Sequence, residues 1–116
     1  MVEDEASVRQ LCARILEEEG YRVLTACDGM EALHLLDAAG AEIRLVISDL
    51  KMPRLDGFQL SACLSSRRAA PPMIFMSGYH VDQPVNRPML PKPFHAADLL
   101  TTVERVLQNE LRAVTR

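Results

Sequence analysis

Leu45-Val46-Ile47-Ser48-Asp49-Leu50-Lys51-Met52-Pro53-Arg54-Leu55-Asp56-Gly57 is the stretch that decides how this chain folds. Leu45 to Ile47 is a short apolar, largely β-branched run of the kind that fills a strand covered on both faces. Asp49 falls where the run stops, and open α/β sheets place reactive groups at the carboxyl ends of their strands. Pro53 disfavours helix at Met52, so the chain stays extended until it turns at Asp56-Gly57. A carboxylate placed this way is held by a stiff strand and presented by a loop, which suits a nucleophile or a metal ligand. A cap or turn aspartate is the plain alternative, and the rest of the chain has to decide between them.

Working outward, apolar and charged patterns alternate in blocks. On the amino-terminal side Met1-Val2-Glu3-Asp4-Glu5 precedes a helix whose stripe is Val8, Leu11, Cys12, Ile15 and Leu16, ended by Gly20. Arg22 to Ala26 reads as a second strand. Asp28 reads as an N-cap with Glu31 three residues on, and its helix runs to about Ala39 before Gly40. On the other side of the Asp49 strand, a helix after Asp56-Gly57 carries Phe58, Leu60, Cys63 and Leu64. Met73 to Met76 is a fourth strand, Met89-Leu90 a fifth, and a last helix from His95 or Ala96 carries Leu99, Val103, Val106, Leu107 and Leu111. Strands alternating with helices at this spacing predict a parallel sheet with helices on both faces, joined by right-handed crossovers. Ser77 to Pro88 has no apolar period and predicts no packed helix.

Composition narrows the classes. A chain of 116 residues suits one domain, 1–116, built on a single core. A net charge of -3 argues against a nucleic-acid face built on bulk charge, and no apolar run approaches a membrane span or forms a signal peptide. Cys12, Cys27 and Cys63 have no CxxC spacing and sit among apolar neighbours, so they read as buried free thiols of a cytoplasmic protein. His34, His80 and His95 share no metal-ligand spacing. The methionines read as core, and Arg67-Arg68 as a solvated helix end.

The parallel sheet carries a chemical consequence. Glu3 and Asp4 end the first strand, Asp49 the third and Ser77 the fourth, and Lys92 follows the fifth. Parallel strands point these ends the same way, so the residues converge on one rim. Crowded carboxylates repel, and a hard divalent cation such as Mg²⁺ relieves that. A lysine and a hydroxyl beside them suit a phosphoryl group. Singly, each has a plainer reading: first-turn acids for Asp4 and Glu5, turn chemistry for Ser77, a surface lysine for Lys92.

Together, Val2-Glu3-Asp4-Glu5, Asp49 to Gly57, Met76-Ser77-Gly78-Tyr79 and Leu90-Pro91-Lys92-Pro93-Phe94 resemble the receiver domain of two-component response regulators. The resemblance covers essentially the whole chain, and its second and fourth pieces are the specific ones. It implies a flavodoxin-like (βα)5 three-layer sandwich with strand order 2-1-3-4-5, one of the two common doubly wound orders. It implies that Asp49 accepts a phosphoryl group from the phosphohistidine of a sensor histidine kinase or a histidine phosphotransfer protein. Glu3, Asp4, Asp49 and the backbone carbonyl of Lys51 would hold Mg²⁺, Ser77 would bond a phosphoryl oxygen, and Lys92 would pair with the acyl phosphate. The change would then be relayed to an output partner, by a module that catalyses only its own phosphorylation and slow dephosphorylation.

The match departs from the family in three places. Only Met1 and Val2 precede Glu3, so the first strand is expected to be truncated, with exposed edges inviting a second copy of the chain to pair. Ser77 to Lys92 is short by about two helical turns of 3.6 residues, so the fourth helix is expected to be short or absent, as in a minority group of receivers. Met89 stands at the aromatic switch position, three before the lysine, and signalling is expected to order the Ser77–Pro88 segment rather than flip a ring. The wording around Ser77 and Lys92 is similar to receivers at the carboxyl ends of hybrid sensor kinases. Two other functions compete: a pseudo-receiver that only docks partners, and a haloacid-dehalogenase-type phosphatase. The phosphatase class wants a second aspartate two residues after the nucleophile, where this chain has Lys51.

Overall fold

Alternation along the middle strands sets the layers of the molecule. A computed structural model describes residues 1–67, 70–78 and 87–115, leaving aside the side chains of residue 41 and residues 111–115. Its elements are α1 (Ala6–Glu18), α2 (Gly29–Ala39), a 3-10 turn (Gly40–Glu42), β1 (Val46–Asp49), α3 (Gly57–Ser65), β2 (Met73–Ser77), β3 (Met89–Pro91) and α4 (Ala96–Thr115). Val46, Met73 and Phe75 point to one face and pack with Ala32, Leu36, Leu60 and Leu64 of α2 and α3. Ile47, Ile74 and Met76 point to the other and pack with Cys12, Leu16, Leu99 and Val103 of α1 and α4. Both faces being covered, the strands read as continuous apolar runs. Ile74 is fully buried at the centre of this packing, and trimming such a side chain to alanine costs about 2–5 kcal/mol.

The sheet is parallel throughout. Val46 pairs with Met73 and Asp49 with Met76, while Phe75 pairs with Met89 and Ser77 with Pro91. Val2 bridges Ala26 on one side and Ser48 on the other, both in parallel. The spatial order is therefore Ala26, Val2, β1, β2, β3, the expected 2-1-3-4-5. The first two expected strands, however, shrink to these single-residue bridges. Arg22 to Ala26 does not form the expected ladder because only Met1 to Glu3 run beside it, and the pairing there is Met1 amine to Leu24 O (3.0 Å), Ala26 N–H to Met1 O (2.9 Å) and Glu3 N–H to Ala26 O (3.0 Å).

Local signals read from the sequence hold at the helix ends. Asp28 caps α2 by accepting from Glu31 N–H at 2.9 Å, and Gly20 closes α1 at φ 94°, a conformation glycine adopts without strain. Asp56 is more than a turn residue: it caps α3 in a reciprocal box with Gln59, each side chain accepting from the other's backbone N–H at 2.9 Å. Other expectations are corrected. Leu11 is 58% exposed, because α1 buries Cys12, Ala13 and Leu16 and its apolar stripe is wider than the face it packs. Cys12 is buried, but Cys27 and Cys63 are only half-buried, and the Cys27 thiol, just before the α2 cap, donates to Glu31 Oε2 at 3.0 Å. Met30 is exposed rather than core; Arg67, at the end of α3, makes an exposed ion pair with Asp37 at 2.6 Å, and Arg68 lies outside the described residues. The expected short or absent fourth helix, and the proposed ordering of its segment, fall mostly on residues 79–86, outside the described residues. Among the described residues no helix is long and apolar enough to cross a membrane.

Candidate functional site

Each site residue sits at the end of a stiff element. Asp49 is the last residue of β1, Ser77 the last of β2, and Lys92 follows β3 directly, its N–H bonded to Ser77 O at 2.7 Å. Glu3 and Asp4 follow the Val2 bridge, which is locked to β1 by Val2 N–H to Ile47 O (2.7 Å) and Asp49 N–H to Val2 O (3.0 Å). Two further bonds shape the loop after Asp49: Leu50 N–H to Met76 O (3.0 Å) and Gly57 N–H to Leu50 O (2.9 Å). Gly57 has to be glycine here, since a Cβ would lie 2.5 Å from Asp49 O. The Lys92–Pro93 peptide is cis.

These ends meet in a cleft of about 480 Å³ lined by Glu3, Asp4, Glu5, Asp49, Lys51, Ser77, Gly78 and Lys92. All of the residues expected from the sequence to form the site are thus brought together. Carboxylate oxygens of Glu3, Asp4 and Asp49 lie within 4.8 Å of one another. Lys92 Nζ donates to Glu3 Oε1 at 2.5 Å and to Asp49 Oδ2 at 3.3 Å. Glu3 is buried, Asp49 partly so, and Asp4 is exposed at the mouth. Partial loss of solvent at the cleft mouth and the adjacent Glu3 carboxylate push the Asp4 carboxyl above its ordinary pKa. Burial works against the Lys92 ammonium, but the hydrogen bond to Glu3 and the charges of Asp49 and Glu3 outweigh it and hold its pKa above the ordinary value. The cluster is an all-oxygen, anionic donor set, which is the chemistry a hard cation such as Mg²⁺ takes.

Two contributors were not visible in the sequence. Arg9 Nη1 donates to Glu3 O at 2.8 Å, fixing the acid pair from α1. Arg54 reaches Asp28 with Nε at 2.9 Å and Nη2 at 2.6 Å, both onto Oδ2. No local spacing pairs positions 26 apart.

Acids, a hydroxyl and a lysine thus gather at the carboxyl rim of a doubly wound parallel sheet, where such sheets place their reactive groups. Residues 1–104 match the family model of the response regulator receiver domain, and the chain belongs to that family. It is 38% identical over 117 residues to the sensor kinase CckA of Brucella abortus, covering 95% of this chain and 12% of that protein. It is 36% identical over 112 residues to the transcriptional regulatory protein PdtaR of Mycobacterium tuberculosis, covering 90% of this chain and 53% of that one. Among solved structures, the receiver domain of the hybrid histidine kinase CckA superposes with a TM-score of 0.81 at 39% identity, covering 91% of this chain and 94% of that one. The chemotaxis protein CheY4 of Vibrio cholerae superposes with a TM-score of 0.78 at 32% identity, covering 90% and 93%. The chain spans about half or less of the full length of these curated relatives. Receiver domains of two-component systems interact with histidine kinases or phosphotransfer proteins and generally bind Mg²⁺ at an acidic pocket.

Proposed function

We propose that this domain is a phosphoacceptor in which Asp49 takes a phosphoryl group from the phosphohistidine of a kinase or phosphotransfer protein. The observation that carries the reading is the Lys92 ammonium lying against both Glu3 and Asp49, beside three clustered carboxylates. In the transfer, an Asp49 carboxylate oxygen attacks phosphorus, the P–N bond to the donor histidine breaks, and the imidazole leaves with that electron pair. The product is an acyl phosphate, with charge spread over oxygens that need donors and positive charge. Lys92 would leave Asp49 Oδ2 to pair with one phosphoryl oxygen, and the Ser77 hydroxyl, at the end of the neighbouring strand, would bond another.

Glu3, Asp4, Asp49 and the Lys51 carbonyl would hold Mg²⁺, which when bound neutralises charge on the phosphoryl oxygens. The 116 residues would act as one module in the cytoplasm, passing the change to an output partner. Incubation with acetyl phosphate and Mg²⁺, read by intact mass, tests this. A gain of about 80 Da that needs Asp49 supports phosphotransfer. No adduct in the wild type leaves a docking module without phosphorylation as the function.

A further inference from the structure

The loop between Asp49 and Gly57 is held on its far side by a contact from another layer. Arg54 stands at φ 66°, a left-handed conformation that side chains other than glycine rarely adopt. Its guanidinium donates from Nε and Nη2 to Asp28 Oδ2. Asp28 is buried and bound twice over, since its Oδ1 accepts Glu31 N–H as the cap of α2. One residue along, Gly29 N–H donates to Leu55 O at 3.1 Å, and a Cβ on Gly29 would lie 2.4 Å from that oxygen. The loop therefore presses directly on the first turn of α2. At its near end Gly57 N–H to Leu50 O closes it, and Lys51 lies between the two anchor points.

We propose that Asp28 and Arg54 form a latch that holds the loop in its left-handed turn and so aims the Lys51 carbonyl into the acidic cleft. Both are positioning residues, acting on the cation site without touching it. Groups that orient metal ligands from behind are typically worth roughly tenfold or more in metal affinity. The proposal rests on the reading of the cleft as a Mg²⁺ site.

Two variants separate a latch from a merely stabilising ion pair. Arg54→Gly removes the guanidinium while leaving a residue at ease with φ 66°. Asp28→Asn removes the charge but keeps an oxygen to cap Glu31. Backbone amide exchange without metal, followed at Gly29 and across Leu50 to Leu55, reads the loop itself. Calorimetric titration with Mg²⁺ reads the site. Both variants should exchange faster at these amides and bind Mg²⁺ roughly tenfold more weakly than wild type, measured at a temperature where circular dichroism shows each of them folded. Wild-type exchange in both variants means there is no latch. Faster exchange with unchanged Mg²⁺ affinity makes the pair structural only. A wild type that binds no Mg²⁺ overturns the reading of the cleft, and with it the positioning role, whatever the exchange shows.

Discussion

Lys92 and Glu3, 89 positions apart, make the shortest side-chain contact of the site, with Nζ 2.5 Å from Oε1. Glu3 is 1% exposed, so this lysine is the cation that balances a buried carboxylate. Lys92→Met should therefore destabilise the metal-free protein by about 1–3 kcal/mol, because a charge is left buried without its partner. Lys92 is itself 23% exposed, which keeps the effect below that of a fully buried pair. Urea unfolding measures it, and saturating Mg²⁺ should narrow the deficit. With acetyl phosphate the variant should still be labelled at Asp49 but respond poorly, since the lysine reads the added charge.

Asp49→Asn should abolish labelling and keep the fold. Its side chain ends at the rim and its removal opens no cavity in either layer of the core. Intact mass after acetyl phosphate treatment checks the first part and circular dichroism the second; a labelled variant would move the acceptor elsewhere.

Asp4→Asn should raise stability without metal and weaken Mg²⁺ binding together. Partial loss of solvent and the crowding Glu3 carboxylate raise the Asp4 pKa, and Asp4 belongs to the cluster within 4.8 Å. Wild type should gain stability with free Mg²⁺ as RT ln(1 + [L]/Kd). A melting temperature that stays flat across a wide Mg²⁺ titration would count against the site.

The amino terminus offers a test of packing. The Met1 amine is bonded to Leu24 O and lies at the edge of an apolar cavity of about 630 Å³ lined in part by Val23, Leu35, Ile43, Val103 and Leu107. A few β-branched residues added before Met1 would extend the Val2 strand beside Leu24 and Leu45 and cover apolar surface. Thermal unfolding should show a rise in melting temperature, and no rise would mean the short strand suffices.

Burial also lowers the pKa of that amine from 8.0 to about 6. The unfolded chain then binds more protons than the folded one between these values, so stability should be full above pH 8.0 and fall as pH drops towards 6. The loss is at most about 2–3 kcal/mol, and acetylating the terminus should flatten the slope. Equal slopes for free and acetylated protein over this window would show that the amine is not desolvated.

Much of the site was legible in the sequence because its signals are local. Apolar period, the Asp28 cap, the Gly20 stop and the Asp49-to-Gly57 loop each depend on residues within a few positions of one another. One topological rule then gathers strand ends on a common rim, which is why Glu3, Asp4, Asp49, Ser77 and Lys92 could be grouped from the order of the elements alone. What lies between layers could not be read that way. Which carboxylate Lys92 takes, that Arg54 crosses to Asp28, and that Leu11 faces solvent all follow from how helices seat on the sheet. Sequence spacing carries the register of a strand or a helix, because neighbouring backbone bonds set it. Contacts across 26 or 89 positions are set by side-chain packing in three dimensions, and only the tertiary structure decides them.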